Sequence, residues 1–133
     1  MLLSGQPKPL ASTYLMSEDK LQSAVVKYIQ YKYPNVKYCS SIAGVYISSA
    51  TQRRKVVRNG YVRGKNDLDL FEARGGYFGL MLELKEKAYP TKEQKEWIEA
   101  MNQRGYCAII TRGLDETIDV IDEYLNKGKT MVV

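Results

Sequence analysis

Apolar and polar positions along this chain follow two rhythms, one helical and one extended. From Ser17 and Glu18 onward, Leu21, Ala24, Val25, Tyr28 and Ile29 recur at helical spacing and form one apolar stripe. Pro34 has no amide hydrogen, so this helix must end before it. Residues 36–47 carry the β-formers Val36, Tyr38, Ile42, Val45, Tyr46 and Ile47. Ser40, Ser41 and Gly44 interrupt that run, which predicts one strand and a turn rather than one long strand. Residues 49–58 read as a short helix closed by Asn59 and Gly60. Alternation over residues 67–71 predicts a strand, Gly75 and Gly76 a turn, and residues 77–85 a second strand. Residues 68–71 and 77–84 then form a hairpin. Thr91 with Gln94 three residues on is a capping box, and opens a helix that Gly105 stops. Residues 106–111 predict a short strand. Asp115 is expected to cap a last helix with Ile118, Ile121, Tyr124 and Leu125 inward, ending near Gly128.

The predicted order is α-β-α-β-β-α-β-α. A hairpin followed by a helix and a further strand implies an α/β fold with a mixed central sheet flanked by helices. Residues 1–16 hold Pro7 and Pro9, lack a long apolar stretch, and read as a flexible N-terminal extension. Met16 would itself serve as a start, which makes the extension dispensable. Residues 17–133 read as a single domain, the size one core supports.

Charge changes the picture. Residues 1–66 carry 11 basic and 2 acidic side chains, whereas residues 67–133 carry 9 basic and 13 acidic. That asymmetry suggests a polyanionic partner, of which nucleic acid is the commonest. The alternative is a solvated basic face with no partner. No apolar run approaches membrane-spanning length. The two cysteines, Cys39 and Cys107, cannot alone form a zinc site and read as reduced core thiols, which fits a cytoplasmic location. The chain has no histidine, so a Ser-His or Cys-His nucleophile is excluded within one chain. Base chemistry must fall to a carboxylate, a lysine or a metal-bound water.

Candidate chemistry sits on the hairpin. Asp67 begins its first strand, and Glu83 and Lys85 lie near the end of its second. Side chains two apart share a strand face, and antiparallel pairing can bring the start of one strand beside the end of the other. Two carboxylates and an ammonium would then converge. Such a set suits a hard divalent cation, which binds oxygen ligands and acidifies water, with a lysine to orient the nucleophile or offset charge. The spacing also fits a half-exposed strand with Glu and Lys turned to solvent.

Gly64, Asp67, Glu83, Lys85 and Gln94 together resemble the PD-(D/E)xK nuclease superfamily. Within it, the chain is similar to the VRR-NUC (virus-type replication-repair nuclease) family. That pattern is Gly-x-Pro-Asp on the first hairpin strand, Glu-x-Lys on the second, a Gln early in the next helix and a Glu on the first helix, for which Glu18 is the candidate. The resemblance spans roughly residues 17–126 and includes Gly105 and Tyr106. The family's Pro is Asn66 here, a position that shapes backbone rather than supplying a ligand. The resemblance implies a restriction-endonuclease-like nuclease core. It implies that Asp67, Glu83 and the Leu84 carbonyl bind Mg²⁺ or Mn²⁺, and that Lys85 activates or positions the water. Gln94 and Glu18 would be outer members of the site. Gln94 also has its capping role, Glu18 also suits a helix start, and Asp69 is a weaker candidate ligand.

The expected function is a metal-dependent DNA nuclease, acting on branched or junction DNA as a homodimer. The basic residues Arg53, Arg54, Lys55, Arg58, Arg63 and Lys65 would line the DNA path. A catalytically silent nucleic-acid-binding module is the rival from another class. A restriction-type or transposase-type endonuclease is a second, though 133 residues leave little room for a sequence-reading domain.

Overall fold

Leu68 and Leu70 on one strand pair with Leu82 and Leu80 on the next, and these four leucines form the middle of the hydrophobic core. The protein is seen here as a computed structural model that describes residues 16–41 and 49–131. Its elements are α1 (Glu18–Lys32), β1 (Tyr38–Ser40), α2 (Ala50–Arg58), β2 (Leu68–Leu70), β3 (Leu80–Lys85), α3 (Lys92–Gln103), β4 (Cys107–Arg112) and α4 (Gly113–Leu125). This is the expected order. The expected N-terminal extension lies outside the described residues, save Met16, as do residues 42–48 of the extended run.

The four strands lie in the order β1-β2-β3-β4. The first two pairings are antiparallel and β3 runs parallel to β4, so the sheet is mixed. The parallel pair needs a crossover, and α3 supplies it. Helix α1 starts where the Ser17 side chain accepts from the Lys20 amide, and buries Leu21, Val25 and Ile29, one turn apart each time. Helix α4 adds Ile121 and Tyr124 to the same cluster. A polar clamp joins the two helices: the hydroxyls of Tyr28 and Tyr33 donate to Asp122 at 2.7 and 2.6 Å, and Lys32 pairs with it at 3.2 Å.

Three expectations need correction. Strand β3 begins at Leu80 rather than at residue 77, because Phe78 donates its amide to Gly105 instead of joining the hairpin ladder. Asp115 does not cap α4. The helix begins at Gly113, Asp115 sits within its first turn, and Glu116 accepts the Arg112 amide at 2.6 Å. The thiols are not both core. Cys39 is exposed on the short edge strand β1, and Cys107 is half-buried.

The core leucines should be costly to remove. Leu82 is fully buried at the centre of the sheet, and Leu82→Ala is expected to lower stability by about 2–5 kcal/mol. Denaturant unfolding measures it, and an unchanged midpoint would contradict the packing described.

Candidate active site

Asp67 lies immediately before β2 and is tied to both neighbouring strands. Its amide donates to Leu82 O at 2.9 Å, and its carbonyl accepts from Ser41 at 2.9 Å. Its carboxylate accepts the Leu84 amide at 2.7 Å. The amide and carbonyl of one strand residue face the same edge, so the Leu84 carbonyl opens toward Asp67 as well.

The next side chains on β3 settle how to read Glu83 and Lys85. Glu83 is 2% exposed and Lys85 5% exposed. They are therefore not a solvated strand face. Glu83 Oε2 is 3.5 Å from Lys85 Nζ, which is 4.0 Å from Glu18 Oε1. Among the described residues, Glu83 Oε1 is buried and has no hydrogen-bond partner. Burial of a carboxylate disfavours its charged form, and a second carboxylate beside it adds repulsion. Burial first and the charge of Asp67 second push Glu83 up to about 8, against the pull of Lys85. Burial likewise raises Asp67, which the Leu84 amide partly offsets.

A cleft of about 620 Å³ opens over these residues. Glu18 and Gln22 of α1, Ser40 and Ser41 from the end of β1, Asp67, Glu83 and Gln94 line it. Gln94 fills its expected capping role and also lies at the cleft. Its amide oxygen accepts from Thr91 N at 2.9 Å in the capping box, and the residue also borders the cleft. The first-turn placement of Glu18 on α1 brings its carboxylate to Lys85. Asp67, Glu83, Lys85, Gln94 and Glu18, separate in sequence, thus share one cavity or one contact.

Asp69 does not join them. It takes 2.7 Å from Lys65 Nζ and 2.8 Å from Asn66 Nδ2. Lys65 is therefore half-buried in an ion pair rather than presented to solvent. Arg53, Arg54, Lys55 and Arg58 are exposed on α2, which buries no residue, and Arg63 is exposed in the loop that follows.

Two residues escaped the sequence reading. Asn66, read as a backbone-shaping position, is fully buried, and its side chain is a junction. Its Nδ2 donates to Leu68 O at 3.0 Å as well as to Asp69, and its Oδ1 accepts from Trp97 of α3 at 2.9 Å. The loop before it can approach α3 this closely because Gly64 has a positive φ of 94°, and a Cβ there would lie 2.7 Å from the Glu93 backbone. The Lys65, Asp69 pair at i, i+4 was the available sign. Tyr61 is the other. It is half-buried, and burial, then the charges of Asp67 and Glu83, raise its phenol.

The donor set can be tested against a divalent cation. Among the described residues no cluster of three or more Asp, Glu, Cys or His side chains forms. The site offers two carboxylates and one strand carbonyl. Mg²⁺ commonly takes one or two carboxylates and keeps several waters, so the set fits. The unpartnered Glu83 oxygen is the polar atom such an ion would satisfy.

A solved structure of a VRR_NUC domain protein superposes on this chain with a TM-score of 0.74 and 30% identity, covering 87% of this chain and 93% of that one. The chain belongs to the VRR-NUC domain family. No protein-family model and no curated protein matches the sequence. Membership accounts for the mixed sheet with its flanking helices as a nuclease core. In this VRR-NUC domain the position of the pattern's proline is held by the buried Asn66 junction.

The raised carboxylates make stability depend on pH. The folded state holds Glu83 protonated over a range where the unfolded chain has released the proton, so stability falls as pH rises through that range. Without metal, unfolding free energy should decline from about pH 4.5 to about 8, with Asp67 acting in the same direction. Denaturation in EDTA across that range should show the decline, and Glu83→Gln should flatten it. A profile rising with pH and unaltered by Glu83→Gln would contradict the assignment.

Proposed function

We propose that this VRR-NUC domain hydrolyses DNA phosphodiester bonds at the Asp67, Glu83, Lys85 site, with Mg²⁺ or Mn²⁺ held by Asp67, Glu83 and the Leu84 carbonyl. The observation that carries the proposal is Glu83: a buried carboxylate with one unpartnered oxygen, beside a second carboxylate and an ammonium, at the floor of an open cleft. Desolvated, mutually perturbed charges of this kind cluster at functional sites. When bound, a hard cation acidifies water and offsets charge on a phosphate oxygen. The chain supplies the rest. The Leu84 amide fixes the Asp67 carboxylate, Lys85 would orient the attacking water or offset charge developing on the phosphate, and Glu18 lies 4.0 Å from Lys85. Gln94 borders the cleft with its oxygen engaged in the capping box, so its NH₂ group is the part it would offer a substrate.

The exposed basic residues of α2, with Arg63 in the loop that follows, would contact the phosphates of the substrate. One small domain carries one such site, and cutting two strands of a junction symmetrically is simplest with a two-fold dimer. The substrate class is therefore branched DNA met by a homodimer, in replication, recombination or repair. No described helix is long and apolar enough to cross a membrane.

Cleavage of linear, flapped and four-way substrates with Mg²⁺, Mn²⁺ or EDTA tests the reading. Cutting should require the cation, and full activity in EDTA would overturn the metal mechanism. Asp67→Ala and Glu83→Ala should abolish cleavage yet keep DNA binding, and Lys85→Ala should cost about two to four orders of magnitude in rate. Wild-type turnover by Glu83→Ala would sink the site.

The basic stretch has its own test. With Glu83→Ala protein, affinity for a four-way junction should fall with salt by a log–log slope of about −0.9 per phosphate contact. Neutralising Arg53 and Arg54 should flatten that slope by roughly one to two units. An unaltered slope would make α2 a solvated surface.

A further inference from the structure

Residues 86–90 join the end of β3 to the capping box of α3, and this short loop is pinned from one side. Arg112 is the register partner of Lys85 in the parallel β3–β4 pair, which puts its backbone about 4.8 Å from the end of the Glu83, Lys85 strand. Its guanidinium donates to Glu86 O at 2.6 Å and to Ala88 O at 3.1 Å. It also lies over the ring of Tyr89, 5.6 Å from the centroid. Pro90 restricts the Tyr89 backbone to extended conformations, and Thr91 then opens the capping box. Tyr89 is nonetheless 86% exposed. A ring with a cation over one face, its backbone held by Arg112 before it and Pro90 after it, and left largely exposed by the described residues, is pre-organised for a planar ligand.

We infer that Tyr89 is a stacking platform for an unpaired nucleobase of the substrate, one short loop beyond Lys85. The inference rests on the nuclease reading above and narrows its substrate class to DNA with unpaired nucleotides beside the cut. Bases inside a continuous duplex already stack on one another and offer no free face. A base splayed from a flap, fork or junction does. Stacking on an aromatic ring is tolerant of sequence, and the Arg112 charge behind the ring favours the adjoining phosphate.

The test uses the full chain carrying Tyr89→Ala, Tyr89→Phe or Tyr89→Trp, with EDTA to prevent cleavage. Fluorescence anisotropy follows binding to a fully paired duplex and to the same duplex with a single-stranded flap. A 2-aminopurine in the flap reports stacking directly by quenching. Tyr89→Ala should weaken binding of the flapped DNA by roughly 5- to 150-fold, the range base–aromatic stacking gives, and abolish the quenching. Duplex affinity should be unchanged, and Phe or Trp should keep the flapped affinity. The inference falls if Tyr89→Ala binds the flap like wild type, if duplex binding falls equally, or if Phe loses as much as Ala. Wild-type cleavage with Mn²⁺, run in parallel, separates the two claims. Protein that cuts DNA but ignores Tyr89→Ala loses only the stacking platform. Protein that neither binds nor cuts any DNA loses the nuclease reading as well.

Discussion

Glu83 holds a carboxylate where water barely reaches, with a second carboxylate beside it and one oxygen that finds no hydrogen-bond donor among the described residues. In a protein interior this is an expensive arrangement. Lys85 at 3.5 Å lowers the cost without removing it, since Glu83 is still pushed up to about 8. A proton on the pair, which the raised value of Glu83 favours, would lower that cost. A divalent cation in place of that proton would satisfy the orphaned oxygen and both charges together. The rest of the structure can be understood as what is needed to hold two carboxylates close against their mutual repulsion.

That holding is done by backbone register and by a core on one side. Leu68 opposite Leu82 sets Asp67 one step from Glu83 and lets the Leu84 amide clasp its carboxylate. A slip of one residue would turn every leucine of β3 out of the core, so the packing of Leu80, Leu82 and Leu84 against α1 and α4 also fixes the geometry of the candidate site. The Asn66 junction secures the entry to β2. It ties the backbone of β2 to Asp69 and to Trp97 on α3. Where the family pattern restricts the backbone with a proline, this chain does it with hydrogen bonds that also link the strand to a helix.

Much of this was legible in the sequence because its signals are local. The α1 stripe, the Thr91 and Gln94 box and the Gly105 stop each act within a few residues, and Gly105 indeed adopts a positive φ of 93°. Convergence of Asp67, Glu83 and Lys85 followed from hairpin pairing. Burial did not follow. Leucine alternation along β3 fits a half-exposed strand equally well, and only tertiary packing shows that Glu83 and Lys85 are enclosed. The same blindness to packing misplaced Cys39 in the core and left Asn66 as a backbone residue. Asp115 misled for another reason. Arg112 and Glu116 solve the α4 terminus with a side chain from inside the helix, a pattern that cap preferences at single positions do not register.

The central claim is that Asp67 and Glu83 form a cation site that a proton fills in the free protein. Calorimetric titration of Mn²⁺ into the full chain near pH 7, repeated in buffers of different ionisation enthalpy, tests it without any substrate. The account predicts binding accompanied by proton release, with both lost in Glu83→Gln. Binding of Mn²⁺ by Glu83→Gln with undiminished affinity, or binding by the wild type with no proton released, would contradict it.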